Sequence, residues 1–304
     1  MNYQHFERYR DIIDDFNGFM NCLKREVKYS IRANTILANP EDVFSALEEK
    51  GFVLRKIPLQ PHVPAAVIED MPVKHPGATM EHFLGLYYVQ ELASMLPPIA
   101  LSPKSGEVIV DMCAAPGSKT TEIAQMICNE GTVIAIDNSA RRIKALVSNV
   151  QRMCSSSVVV IHRDARYTKG LEGIADKVLL DAPCSSESTV RKGVDVEISE
   201  EVIRKMSALQ KSLVHAAHKI LKDDGIMVYS TCTFAPEENE EVVDYAINLG
   251  FEVEKVSLPL RYENGVEEWN GKTYDSSVRN VARVYPHLDD TGGIVIARLR
   301  KVSD

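Results

Sequence analysis

From about residue 107 onward, short apolar runs alternate with amphipathic stretches. EVIVDMCA (107–114), TVIAIDN (132–138), VVVIHRDA (158–165), KVLLDAPC (177–184) and GIMVYSTCT (225–233) are rich in Val, Ile and Leu. Continuous runs of this length suit strands buried on both faces, hence a parallel sheet covered by helices. KTTEIAQMI and SARRIKALVSNVQRM read as the helices after the first two runs. In SEEVIRKMSALQKSLVHAAHKIL (199–221), Ile203, Met206, Leu209, Leu213, Ala217 and Ile220 recur at helical spacing, with Ser199 as the cap. Pro236 is expected to open a further helix, EENEEVVDYAINL, that Gly250 stops. GGIVIARLRK (292–301) reads as a last strand, and 255–290 shows no period and is expected to be irregular. The predicted class is α/β, a doubly wound Rossmann-like sheet with helices on both faces.

Before residue 100 the pattern changes. SIRANT (30–35) looks like a strand, and Asn39-Pro40 starts a helix, EDVFSALEEK, closed by Gly51. A long helix is expected before them. This predicts a small α+β domain over 1–100 and the sheet domain over 101–304. LPPIALSPKSG (96–106) is the expected hinge, from its Pro, Gly and Ser content.

Charge changes the picture only locally. The net charge of −8 argues against a protein coated in nucleic acid, but phosphates respond to patches rather than totals. Basic residues cluster at Arg141, Arg142 and Lys144, at Arg163, Arg166 and Lys169, at Arg191 and Lys192, and at Arg298, Arg300 and Lys301. Each cluster taken alone reads as solvated surface. No run reaches the roughly 18 apolar residues of a membrane span, so no membrane partner is expected. The six cysteines (22, 113, 128, 154, 184 and 232) form no CxxC pair and no zinc spacing. They are expected to be free thiols in a reducing cytoplasm, with no metal.

The residues with chemistry fall at strand ends, where ligands of doubly wound sheets sit. DMCAAPGSKT (111–120) is a turn of small residues entering a helix, which lets backbone N–H groups approach a ligand. It lacks the phosphate-loop spacing. Asp137 closes the second strand, where an acid can hold ribose hydroxyls; Asp164 closes the third and can face an adenine amino group. A single such acid is more often a turn residue, but three in register point to an adenosine-containing cofactor. Cys22, Cys128 and Cys154 fall on predicted helices and read as packing or surface residues, and Cys113 as a small packing residue. Cys184 and Cys232 end what should be adjacent strands beside Asp181 and should face one cleft.

DMCAAPGSKTTEIAQ, AIDNSARRIKAL, HRDA, DAPCSS and STCTFAPEENEEVV resemble, in the same order, the motifs of the Nop/Sun family of RNA cytosine-5 methyltransferases. SIRANT, HFLGLYYVQELASMLPPIAL and GGIVIARLRK also look like family segments, so the resemblance spans nearly the whole chain. Ser186-Glu187 departs from the small Ser-Gly-Ser-Gly run that usually follows the PC motif, and GIV replaces a more aromatic run near the end. The resemblance implies S-adenosylmethionine as cofactor, lined by Cys113, Ala114, Ala115, Pro116, Gly117, Ser118 and Lys119. Asp137 would hold the ribose, with Arg142 near the adenosine and Asp164 at the adenine. Asp181 would sit between cofactor and base, Cys232 would be the nucleophile, and Cys184 would help release product. The expected partner is RNA, with tRNA favoured over rRNA because the chain looks like a minimal family member.

That chemistry calls for two thiols. C5 of cytosine is too electron-poor to take a methyl group directly; a thiolate adding to C6 makes C5 nucleophilic. Charge then moves towards N3, where Asp181 could act as an acceptor from the exocyclic amine or as a neutral acid. A base must afterwards remove the C5 proton, the role given to Cys184. The target must be unpaired or flipped out. An exocyclic-amine methyltransferase needs no thiol after DAP, and the related DNA enzymes lack the TC cysteine. A non-catalytic RNA-binding scaffold is the alternative from another class.

Overall fold

Phe6, Tyr9, Phe19 and Leu23 are buried, yet they do not pack on the strands that follow them in sequence. In the computed structural model, which describes residues 3–194 and 198–303, they lie on a 3-10 turn (Tyr3–Tyr9) and on helix α1 (Phe16–Leu23). The expected single long helix is divided here because Asp15 caps α1, accepting from Gly18 N at 2.9 Å. Phe19 meets Phe234 edge-on at 5.2 Å, and Tyr9 stacks on Trp269 at 6.0 Å, so this segment joins the core of the C-terminal half.

Strand β1 (Ser30–Ala33), helix α2 (Pro40–Glu49), strands β2 (Val53–Gln60) and β3 (Val63–Asp70), the short helix α3 (Met80–Phe83) and strand β4 (Tyr87–Val89) follow. The four strands form an antiparallel sheet in the order β2-β3-β1-β4. One face carries Ile31, Ala66 and Ile68 against Val43, Phe44 and Leu47 of α2. The other presents Leu59, Val63, Ala65 and Val67 to the larger sheet's helices. Arg32 is fully buried at this junction. It donates to Gln90 Oε1 at 3.0 Å, Thr121 Oγ1 at 3.0 Å, Ser118 O at 3.3 Å and Gln125 Oε1.

The stretch 96–106, expected as a hinge, instead contains helix α4 (Leu96–Leu101), all of whose residues are buried. Its prolines sit at the helix start, where no N–H is needed, and its apolar side chains pack under the sheet.

The large sheet is built from β5 (Val108–Asp111), helix α5 (Ser118–Met126), β6 (Thr132–Asp137), helix α6 (Ala140–Arg152), β7 (Val158–His162), β8 (Ala175–Asp181), helix α7 (Glu200–Ile220) and β9 (Leu221–Thr231). After helix α8 (Glu240–Asn248) come β10 (Phe251–Glu254), β11 (Glu263–Asn264), the hairpin β12 (Glu268–Trp269) and β13 (Lys272–Thr273), β14 (Ala282–Val284), helix α9 (Pro286–Asp289) and β15 (Ile294–Lys301). The order is β11-β14-β15-β9-β8-β5-β6-β7, with β10 also on β15. β7 through β9 run parallel; β15 joins β9 antiparallel. Alternate residues explain the two-sided burial. Ile109, Val133, Leu179 and Val228 face α4 and α5, whereas Val110, Val178, Leu180 and Met227 face α7 and α8.

Three further expectations are corrected. The 255–290 stretch is not wholly irregular: β14 extends the sheet, but three residues are too short to show a period. Helix α8 begins at Glu240 rather than at Pro236, because Asn239 holds the preceding turn, donating to Thr233 O at 3.1 Å and Ala235 O at 2.9 Å. Cys128 and Cys154 lie just past their helices, exposed, at φ +52 and +53.

Candidate active site

The turn after β5 is shaped by what it must approach. Gly117 sits at φ +105, and a Cβ there would lie 2.9 Å from Leu146 Cδ1, so only glycine lets the loop close on α6. Thr120 donates to Asp111 Oδ2 at 2.7 Å, leaving Oδ1 buried without a partner. Burial pushes the Asp111 carboxyl up to about 7. At the end of β6, Asp137 accepts from Ser139 N at 2.9 Å and Ala115 N at 3.2 Å. Arg142 approaches it at 3.5 Å and donates to Ala115 O, tying the acid to the loop.

β8 and β9 are adjacent, with Asp181 opposite Ser230. Ser230 Oγ donates to Asp181 Oδ1 at 2.8 Å, and Lys119 Nζ donates to Oδ2 at 2.8 Å and to Ser94 Oγ at 2.9 Å. Burial pulls the Lys119 ammonium down, but Asp181 beside it outweighs this and holds it above the ordinary lysine value.

Just beyond these strand ends, the sulfurs of Cys184 and Cys232 lie 3.3 Å apart. The Cys184 thiol, donating to Cys232, holds the Cys232 pKa below that of an ordinary thiol; Lys119 adds to this, while burial opposes it. The same contact and burial hold Cys184 well above. The contact therefore makes the two thiols unequal, Cys232 the more acidic and Cys184 the less.

The two loops are fastened to each other. Ser188 N donates to Cys232 O at 3.0 Å, and Ser185 Oγ meets Thr233 Oγ1 at 2.8 Å. Ser185 N and Gln210 both donate to Glu238, whose carboxyl burial raises to about 7. Glu187, at the departure from the family's small-residue run, is fully buried and accepts from His5 Nε2, Tyr9 Oη and Phe234 N, each at 2.6 Å. Burial alone would raise its pKa, but these donors, His5 first, hold it below the ordinary glutamate value. Gly292 and Gly293 serve close approach: a Cβ on the first would come within 2.6 Å of the Glu91 carboxylate, and one on the second would run into the Phe234 ring.

A cavity of about 540 Å³ brings together Asp111, Cys113, Ala114, Ala115, Pro116, Ser118, Lys119, Arg142, Asp181 and Cys232. Gly117 backs this wall rather than lining it. Asp137 and Asp164 meet in an adjoining slot of about 50 Å³ with Cys113 and Arg142. Asp164 is there gripped by Arg166, whose Nη2 lies 2.6 Å from Oδ2, so adenine would have to displace that pair. The larger cavity suits an adenosylated amino acid. It offers small-residue backbone and the Asp111 carboxyl in its wall, and it shares Cys113 and Arg142 with the slot that holds Asp137. Among the described residues there is no group of His, Cys, Asp or Glu that could hold a metal, and no helix long and apolar enough to cross a membrane.

Sequence reasoning did not assign Ser94, Ser230, Tyr88, Glu91 or Lys192 to the site, yet they line the cavity or orient its charges. Ser230 lies in the STCT motif, and period 2 from the core residue Val228 places it with the inward set. The basic clusters divide: Arg191 is buried, and Arg298 and Arg300 pair with Glu254 and Glu252 at the edge strand β10.

Residues 98–300 match the family model described as 16S rRNA methyltransferase RsmB/F. A tRNA (cytosine(49)-C(5))-methyltransferase of Pyrococcus abyssi is 41% identical over 99% of this chain and 96% of its own length. A ribosomal RNA small subunit methyltransferase F of Vibrio parahaemolyticus is 35% identical over 94% of this chain, which spans 60% of that relative. Among solved structures, a methyltransferase homologue from Pyrococcus horikoshii superposes with a TM-score of 0.88 at 30% identity, covering 99% and 96% of the two chains. NSun6 from Pyrococcus horikoshii with SFG superposes at 0.85 and 27% identity, covering 98% and 97%. Motifs, fold and matches agree, and the chain belongs to the RsmB/F family, the Nop/Sun S-adenosylmethionine-dependent RNA cytosine-5 methyltransferases.

Proposed function

We propose that this enzyme methylates C5 of a cytosine in tRNA through a covalent bond between Cys232 and C6 of the base. The observation that carries this reading is the 3.3 Å contact between two sulfurs at the rim of a cavity holding a Lys119–Asp181 pair. The tRNA preference is supported by the relative that matches end to end; the rRNA relatives match over little more than half their length.

Two thiols, Cys113 and Cys232, line the cavity, and their acidities separate them. Burial pushes Cys113 well above an ordinary thiol, whereas the Cys184 donor holds Cys232 below it. The Cys232 thiolate adds to C6 and charge moves towards N3. Asp181, with Lys119 and Ser230 each donating to one of its oxygens, is oriented as an acceptor for the exocyclic amine. S-adenosylmethionine, when bound, supplies an electrophilic methyl group. Cys113 to Lys119, Asp137, Arg142 and Asp164 are its holding residues in this reading. Once the sulfur of Cys232 is tied up in a C–S bond, the negative charge that kept Cys184 protonated is gone. Cys184 then gives up its own proton to solvent more readily and, as the thiolate, takes the proton from C5; the C–H electron pair re-forms the C5–C6 double bond while the C–S bond breaks and its pair returns to the Cys232 sulfur. The N-terminal unit, placed by sequence at residues 1–100, contributes RNA-binding surface.

The test is methylation of a tRNA transcript and of small-subunit rRNA with labelled cofactor, followed by bisulfite sequencing. Conversion protection at one tRNA cytosine is the expected result. Protection only in rRNA would move the substrate, and label in neither would favour a non-catalytic scaffold.

A further inference from the structure

Lys192 borders three cavities. It lines the 540 Å³ cavity with Asp181 and Cys232, a recess of about 170 Å³ between Cys232 and Gly292, and an outer groove of about 480 Å³. The outer groove runs between residues 26–30 and 89–91, along the seam between the N-terminal sheet and the catalytic loops.

Most charges around this groove are already engaged. Lys28 pairs with Glu69. Glu91 accepts from Gly292 N at 2.7 Å, Ala93 N at 3.1 Å and Ser94 N at 3.2 Å. Arg191 donates to Arg25 O at 3.0 Å and Asp290 Oδ1 at 2.7 Å, which fixes the backbone beside Lys192. Lys192 itself is exposed and makes no ion pair among the described residues. Tyr29 is 42% exposed on the groove wall, propped edge-on against His75 at 5.1 Å. Glu26 adds an exposed carboxylate, an acceptor for base amino groups rather than a phosphate site.

A cation with no ion pair among the described residues, at the mouth of the base cavity and beside a groove with an exposed ring, follows the order of a single-stranded nucleic acid: phosphate, then the next base. We propose that the groove seats the nucleotide adjoining the target cytosine, with Lys192 binding the intervening phosphate and Tyr29 stacking on the neighbouring base. This rests on the assignment of the Cys232 cavity to the cytosine.

The experiment measures RNA affinity by filter retention of a tRNA transcript at several salt concentrations, with cofactor affinity by calorimetry. Lys192→Gln should weaken RNA binding and flatten the log affinity against log salt slope by about one unit. Lys192→Arg should restore both, and the loss of RNA affinity in Lys192→Gln should exceed any change in its cofactor affinity. Tyr29→Ala should weaken binding about tenfold, while Tyr29→Phe should not. Unchanged affinity and salt slope in Lys192→Gln overturns the phosphate assignment; equal binding by Tyr29→Ala and wild type overturns the stacking. Because binding is read without turnover, absent methylation by the wild type would count against the catalytic assignment and leave this comparison decisive for the groove.

Discussion

Cys184 Sγ lies 3.3 Å from Cys232 Sγ, but of the two only Cys232 lines the large cavity. Two thiols in contact are thus chemically unequal, and their variants should fail differently. Cys232→Ser should abolish methylation and form no adduct. Cys184→Ser should accumulate a denaturant-resistant protein–RNA complex, visible as a shifted band on a denaturing gel. An adduct from the Cys232 variant, and none from the Cys184 variant, would reverse the assignment.

The same contact sets a pH dependence. Cys232 is held below an ordinary thiol by the Cys184 donor, so its alkylation by iodoacetamide should reach half-maximal rate at lower pH than that of the exposed Cys128. Cys184→Ala removes that donor, and the midpoint should move upward. Mass spectrometry of the Cys232 peptide across a pH series reads this directly; an unmoved midpoint would refute the donor role.

Asp181 should matter to turnover more than to cofactor binding. Asp181→Asn keeps the size but removes the charge that Lys119 and Ser230 orient. A fall in kcat of roughly 10²-fold or more is expected, the scale of proton-transfer and orienting groups, with a smaller change in cofactor Kd. Stopped-time assays at saturating RNA, beside calorimetry, separate the two.

Glu187 predicts the shape of acid unfolding. Its folded-state pKa is depressed, so its contribution is fully present above the unfolded glutamate value of about 4.3 and is lost as pH falls through the folded value. Glu187→Ala should therefore cost stability at neutral pH, about 1–3 kcal/mol for each buried donor left unpaired. The gap to wild type should narrow below about pH 4. Urea titrations at several pH values test this; a gap that stays constant into acid would show that the ionised form is not what those donors stabilise.

Arg283 and Glu240 are both fully buried, joined by Nε–Oε1 at 2.6 Å, and Arg283 also donates to Phe234 O at 3.0 Å behind Cys232. Glu240→Gln should destabilise by about 3–5 kcal/mol, since it leaves a buried cation uncompensated. Replacing both residues with methionine should cost less than the sum of the single changes in a double-mutant cycle.

The parallel core was legible because buried strands are written as continuous apolar runs, and the motif residues sit where those runs end. Cys184 and Cys232 were even readable as neighbours from the strand order, though Ser230, two residues before Cys232, was not assigned. What the sequence hid was of another kind. Pro97 and Pro98 read as a linker, yet they start a buried helix, because proline at a helix start and proline in a hinge look alike. β14 was too short for its period to register. The partners of Glu187 lie 182 and 178 residues away at His5 and Tyr9, and no local pattern announces a contact of that range. Asp164 lies near Asp137, as neighbouring strand ends imply, but its engagement by Arg166 depends on side-chain packing that spacing does not encode.

Arg32, itself on the first sheet, is fastened to the cofactor helix through three acceptors, Ser118, Thr121 and Gln125, with Gln90 Oε1 taking its fourth bond. Parting these pieces would break those bonds together and uncover the apolar seam beside them, so the joint resists opening and the jaws of the cleft behave as one casting rather than a clamshell. A cleft held this firmly leaves the bending to the RNA. Selection among cytosines then falls partly to the nucleic acid itself: those that already swing free of their stack reach the thiolate, and those that cost too much to extrude do not.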